Sequence, residues 1–374
     1  MHAVTINEVV KTLKRWFPPP LAETWDNVGL LLGDDTEPAE RIMTCLTLTG
    51  ATAAEAVEKK ASLVVSHHPI FFRGAKRLTN RGPEAAVYKL ARSGCALYSP
   101  HTSFDGSDEG INQQWADRLG LENTEPLRPA METNVVKFVV FTPESDLAAV
   151  QEAVFAAGAG RIGDYGECSY RAIGKGTFKG DAGTNPTIGT PGVREEVDEY
   201  RLEFVAPTCK IAEVTAAVRA AHSYEEPAFE VHNLHSVAGT VGGGRIGDLK
   251  SSTSLAELTV RAGEAVNASS VEFVGDAKRQ VRRIATGCGA GASFLDDAKR
   301  LNADVLLVGE ASFHDLLKAE AMGVGLVLVG HFASERFAVE TLAERLLKEF
   351  PSIQVWAADS EKDPRNLVVL KPSK

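Results

Sequence analysis

Three short stretches carry metal-binding residue types, and each lies where an apolar run ends. "LVVSHHP" (63–69) closes on adjacent histidines, His67 and His68. "CALYSPHTSFD" (95–105) sets His101 four residues before Asp105, and "GHFASERF" (330–337) sets His331 four residues before Glu335. That spacing puts both side chains of each pair on one face of a first helical turn. Adjacent strand residues point to opposite faces, and Pro69 biases His68 toward an extended or turn conformation. Two neighbouring imidazoles splayed at a strand exit therefore suit two ions better than one. A carboxylate can bridge two cations, and Asp105 and Glu335 are both candidates. Imidazole with carboxylate and no thiolate suits Zn, Fe, Mn, Co or Ni without selecting among them. A single histidine at a strand end is more often a hydrogen-bonded structural residue. Four of the nine histidines and two carboxylates gathered at three strand exits are much less easily accidental.

The elements that must position these residues alternate between strand and helix. An amphipathic helix near 6–16 precedes a proline-bounded loop, "FPPPLAETWDNVGLLLGD". Strands near 41–48, 62–66 and 95–99 then alternate with helices near 51–61, 83–93 and 110–120. Short apolar runs separated by helices imply right-handed crossovers and a mainly parallel sheet. "LGLENTEPLRPAMETN" interrupts this rhythm. From 135 to 234 the order reads β-α-β-β-α-β, the split order of a ferredoxin-like module, and the glycine-dense "HSVAGTVGGGRIGDL" reads as its closing linker. Alternation resumes beyond 250, with strands near 271–275, 281–287, 304–308, 324–329 and 353–357. Helices are expected near 291–302, 313–321 and 334–349. The fold class read from this is α/β: two related segments, 1–128 and 239–374, complete one metal-binding unit. An inserted α+β domain, 129–238, interrupts them, and the shared rhythm of the outer segments suggests a pseudo-duplicated pair.

In open α/β sheets, sites form beyond the carboxyl ends of strands, which brings in further candidates. Glu310 and His314 follow "DVLLVG" and could partner a ligand imidazole or shuttle protons; a solvent-facing helix start is the alternative. Asp26 and Asn27 could contact substrate or orient a ligand, while Trp25 is read as a packing anchor. "TGCGAGAS" (286–293) could cradle a phosphate on backbone amides, but a tight turn fits it better. His222, Tyr224, Glu225 and Glu226 stand apart, as capping, inter-subunit or effector-binding residues.

Together "WDNVGLLLGD", "SHHPIFF", "SPHTSFD", "GE" followed by His314, and "GHFASERF" resemble the dinuclear metal-centre family of NGG-interacting-factor-like proteins, the type 2 GTP cyclohydrolase I homologues. "CSYRAIGKGTFKG", "NPTIG" and "HSYEEPAFEV" resemble the longer bacterial subtype, whose insert is of the PII or CutA ferredoxin-like type. The resemblance implies His67, His68, Asp105, His331 and Glu335 as ligands of two divalent ions, with Glu335 bridging and His101 beside them. It also implies a nucleotide substrate and a toroidal homohexamer. Two positions depart from the family pattern: Thr47 stands where many relatives have aspartate, and Ser223 replaces a proline.

Two functions from different classes follow. In a hydrolase, paired cations lower the pKa of a water and polarise the substrate; on a guanine nucleotide the water adds at C8, the imidazole ring opens and formate leaves. The alternative is a non-enzymatic, metal-dependent regulatory or ligand-sensing scaffold. A net charge of −10 over 374 residues argues against nonspecific binding to nucleic acid or anionic lipid. Lys278–Arg283 is the densest basic stretch and reads as a solvated face. Five scattered cysteines suggest neither a disulfide frame nor a thiolate zinc site. With no signal peptide and no apolar run long enough to span a bilayer, the expected location is cytoplasmic.

Overall fold

The structure is a computed structural model describing residues 3–72, 74–82, 84–130, 135–234 and 240–368. It is a mixed α/β protein with several sheets and, among the described residues, eleven α-helices. The chain forms two compact units, Met1–Ala130 with Gly239–Lys374, and Met131–Ala238.

The first unit is built on two mixed sheets. In one, strands Arg41–Thr47, Leu63–His68 and Ala96–Ser99 run parallel, as their β-branched, buried runs demand. Leu63 and Val65 enter one apolar cluster and Val64 the other, so the strand is covered on both faces. The sheet is closed on one side by Gly29–Leu32, antiparallel to Ala96–Ser99. This strand lies inside the stretch read from its prolines as loop. On the other side it gains Gln354–Ala357, parallel to Arg41–Thr47. The second sheet centres on parallel strands Gln280–Gly287, Val305–Val308 and Gly325–Leu328. Antiparallel Arg245–Ser254, Glu122–Glu125 and Glu272–Val274 complete it. Each outer segment therefore lends its last strand to the sheet of the other.

The glycine-dense stretch is not slack. Its first residues, 235–239, lie outside the described ones, but Gly242–Gly243 pairs with Arg128–Pro129 and the long strand Arg245–Ser254 follows at once. Gly242 and Gly244 adopt positive φ, and a Cβ at Gly242 would collide with the Arg128–Ala130 backbone, so glycine is needed there for close approach. Arg245, 1% exposed, donates to the carbonyls of Gly242, Gly244 and Ser107 and to Gln113, tying the two outer segments together. The helix Leu255–Ala265 escaped the periodicity reading, although the capping box of Ser254 and Glu257 announces it. The basic stretch at 278–283 is partly consumed internally: Arg279 donates to Gly323 O, and Arg283 to Leu301 O and Glu125.

The second unit runs strand Val135–Thr142, helix Glu144–Ala156, strands Ser169–Lys179 and Arg194–Pro207, helix Ile211–Ala221, strand Phe229–Asn233. All its pairings are antiparallel, with Val135–Thr142 and Arg194–Pro207 in the centre. Phe138 and Phe204 face each other in register, their rings stacked at 5.4 Å within an apolar core that includes Val214 and Val218.

Glu55 anchors the segment after the last strand. Its carboxylate accepts from Trp356 Nε1 and from the Asp359 and Ser360 amides, and pairs with Lys59. Burial opposes its charge, but the bonds from Ser360, Lys59 and Asp359 outweigh that and hold its pKa down at about 2. Glu55→Ala is expected to cost about 2 kcal/mol at pH 7 in urea unfolding, since it strands several donors. Because the folded carboxyl titrates below the ordinary 4.5, the wild-type advantage is full above 4.5 and fades as the pH falls toward 2.

Candidate metal centre

The carboxyl ends of strands from both sheets meet over a cavity of about 760 Å³. Strand Leu63–His68 delivers His67 and His68; the six-residue helix His101–Gly106 delivers His101 and Asp105; helix His331–Glu349 delivers His331 and Glu335 from its first turn. Two donor groups form, each with all its atoms within 4.8 Å of one another: His67, His68 and His101; and His68, His331 and Glu335. His67 Nε2 lies 3.6 Å from Asp105 Oδ1, and Glu335 Oε2 lies 3.1 Å from His68 Nε2 and 3.2 Å from His331 Nε2. All six residues therefore converge. His101 holds φ at +29°, a strained backbone for a side chain of its size and one of the kind found at functional sites.

Three imidazoles are oriented the same way. His101 Nδ1 is 2.7 Å from Asp26 Oδ1, His331 Nδ1 is 3.0 Å from Glu310 Oε1, and His68 Nδ1 is 2.8 Å from Thr47 Oγ1. Asp26 and Glu310 can only accept, so the Nδ1 of His101 and of His331 carries a proton, which leaves Nε2 as the nitrogen each ring would turn to an ion once deprotonated. Thr47 reaches His68 because strand register sets the two side by side. Its hydroxyl thus occupies a ligand-orienting position that needs no carboxylate.

His67 differs. It is 3% exposed, and both ring nitrogens, with Asp105 Oδ1, are buried without a hydrogen-bond partner. Orphaned buried polar atoms cost about 1–3 kcal/mol each, and a divalent cation between them would remove that cost. The donor set therefore fits such an ion. Burial drives the His67 imidazole well below its usual range, keeping it neutral, as a ligand must be. Burial, then the Glu335 carboxylate, pushes the Asp105 carboxyl up. Burial also opposes ionisation of Glu335, but hydrogen bonds to His331 and His68 win and hold it far below the usual carboxylate range. The Glu335 bond raises His331 to about 9 against the effect of burial.

Other expected residues fall differently. Asp26 contacts no cavity: its side chain is fully buried and ties His101 to Thr102. Asn27 donates to Phe71 O at 2.6 Å, bracing the loop that follows His68, and does not line the cavity. Glu310 partners His331 as described. His314 is exposed in the first turn of helix Phe313–Met322, its ring beside Phe313, and does not line the cavity. The helix start won there because Ser312 and Asp315 cap it.

Three residues escaped the sequence reading. Cys288 hydrogen-bonds the Asp105 carboxylate, and burial, then the Asp105 and Glu335 charges, hold its thiol protonated. Asn112 clamps both partners, accepting from Cys288 N and donating to Asp105 O. Glu361 accepts from the Leu46 and Thr47 amides and pairs with Arg336. No local pattern announces them. Gly289, which follows Cys288, sits where any Cβ would strike Glu335, so the "TGCGAGAS" turn serves close approach to the carboxylate.

Fold and cavity together define a mixed α/β protein with a candidate imidazole–carboxylate metal centre. The sequence model of the family Duf34/NIF3 (NGG1p interacting factor 3) matches residues 4–364, and the chain belongs to that family. It is 34% identical to the GTP cyclohydrolase 1 type 2 homolog of Halalkalibacterium halodurans over 95% of this chain and 97% of that one. It is 36% identical to the protein of the same name from Mycobacterium leprae, over 96% and 94%. Among solved structures, a Bacillus cereus protein related to NIF3 superposes with a TM-score of 0.69 at 28% identity, covering 98% of this chain and all of that one. No helix among the described residues is long and apolar enough to cross a membrane.

Removing the Nδ1 acceptor of a ligand imidazole is expected to weaken divalent-ion binding 10–100-fold. Glu310→Ala, which takes the acceptor from His331, should do so in calorimetric titration with Zn or Mn. Binding must also displace the His331 proton, so affinity should fall as the pH is lowered below about 9.

Proposed function

We propose that this chain is a two-cation hydrolase acting on a nucleotide. The carrying observation is the orphaned pair His67 and Asp105, 3.6 Å apart, beside the His68–His331–Glu335 group. His67 and Asp105 would hold one ion and His68 and His331 the other, with Glu335, within hydrogen-bond distance of His68 and His331, as the carboxylate shared between them. Two divalent ions supply a lowered water pKa and polarise the substrate. Asp26, Glu310 and Thr47 keep the imidazoles in position. His101 lies within ring contact of His67 and His68; burial opposes its charge, but the Asp26 hydrogen bond and the Asp105, Asp26 and Glu335 charges together outweigh that and raise its pKa, so it can carry a proton toward a leaving group. Trp25 and Phe72, 60% and 53% exposed, stand at the rim with rings 6.3 Å apart and offer flat faces to a base. The names of the curated relatives favour GTP, with ring opening at C8.

The second unit fits an inserted ferredoxin-like domain of the PII or CutA type, a reading supported by its β-α-β-β-α-β order and antiparallel pairing. Segments 1–128 and 239–374 then complete the site, and a cytoplasmic homohexamer completes the reading by family resemblance.

Glu335→Gln is expected to lose bound ion and hydrolysis together while keeping the wild-type circular dichroism spectrum. Wild-type protein reloaded in turn with Zn, Mn, Fe, Co and Ni, yet inert toward a panel of purine and pyrimidine nucleotides, would refute the hydrolase.

A further inference from the structure

The second unit holds a separate cavity of about 350 Å³, a size suited to a small ligand. Its walls include the rings of Phe141, Phe178 and Tyr224, together with the carboxylate of Glu199, and no lysine or arginine lines it. Phe178 and Tyr224 lie 6.2 Å apart with their planes inclined by 54°, a corner rather than a stack. His222 fixes that corner: its Nδ1 accepts from the Tyr224 amide at 3.0 Å, and its Nε2 reaches Phe141 O at 3.0 Å. The loop between the two long strands closes over it, with Thr187 Oγ1 donating to Ser223 O at 2.6 Å and the Asn185 amide donating to Glu225 at 3.1 Å.

The charges do not balance inside. Glu226 is paired with Arg219 and Glu225 accepts the Asn185 amide, but among the described residues no basic side chain pairs with Glu199. Glu199 is seated over Gly176, where a Cβ would strike its carboxylate. Beside it the buried Tyr224 hydroxyl has the Glu199 carboxylate as its polar neighbour, and burial together with that charge pushes its pKa up. A neutral apolar guest would take water from the carboxylate without supplying a counter-charge, which costs free energy. An anion would face the carboxylates of Glu199, Glu225 and Glu226 with no lysine or arginine in the lining to offset them. A divalent metal needs several converging oxygen or nitrogen donors, and no such group forms here among the described residues. Aromatic faces beside a carboxylate that no basic side chain among the described residues pairs match a single ligand chemistry, a cation with an organic shell.

We propose that this pocket binds a small organic ammonium ion, held by Glu199 and by the faces of Phe178 and Tyr224. The site is independent of the metal centre, whose residues belong to the other unit.

Calorimetric titration of the full chain tests this with two matched pairs of probes: choline against its uncharged isostere dimethylbutanol, and benzylammonium against benzyl alcohol. At least one charged probe is expected to bind about tenfold or more tighter than its neutral partner. Glu199→Gln should remove that preference, and Gly176→Ala should weaken it by unseating the carboxylate while leaving the other wall side chains in place. Glu335→Gln should leave it unchanged. Should either pocket variant fail to fold by circular dichroism, the charge preference of the wild type still decides. Equal affinities within both pairs, or no binding by any probe, overturns the proposal. So does a preference that survives Glu199→Gln in a folded protein.

Discussion

Around His67 an imidazole, a carboxylate oxygen of Asp105 and the Glu335 carboxylate are taken out of water at the end of a strand without partners enough among themselves. A buried charge or orphaned polar atom is among the most expensive features a fold can carry. Much of the surrounding structure serves to hold this arrangement. Asp26, Glu310 and Thr47 fix ring orientations, Asn112 clamps Asp105 to Cys288, Gly289 clears space for Glu335, and Glu361 braces the strand end beside His68.

The topology explains how residues 68 and 335 come to share a cavity. Strand 354–357 returns to the first sheet directly after the helix that carries His331 and Glu335, and strand 122–125 crosses to the second sheet after the helix that carries Asn112. These exchanged strands, with the buried Arg245, fix one sheet's carboxyl ends against those of the other. Neither outer segment can present the donor set alone.

Much of this was legible in the residues. The strand exits at 68, 99 and 328 follow from apolar runs, and the i, i+4 pairs 101/105 and 331/335 fall on helical first turns as their spacing requires. The partner of His331 was legible as well, because Glu310 stands at a strand end. Illegible were contacts set by register and long-range closure. Thr47 reaches His68 through strand pairing, Cys288 reaches Asp105 across the cavity, and Glu361 returns from the tail. Glycine misled near 242, where it marks tight backbone packing rather than a linker; at 289 it makes the tight turn its spacing suggested and leaves room for the Glu335 carboxylate. His314 misled because a strand-end position is also where capped helices begin.

Anomalous diffraction from crystals soaked in a manganese or zinc salt bears most directly on the centre. Two peaks are predicted per chain, one touching His67 and Asp105, the other His68 and His331, with Glu335 between them. Density elsewhere, or none at saturating ion, would contradict the account at its root.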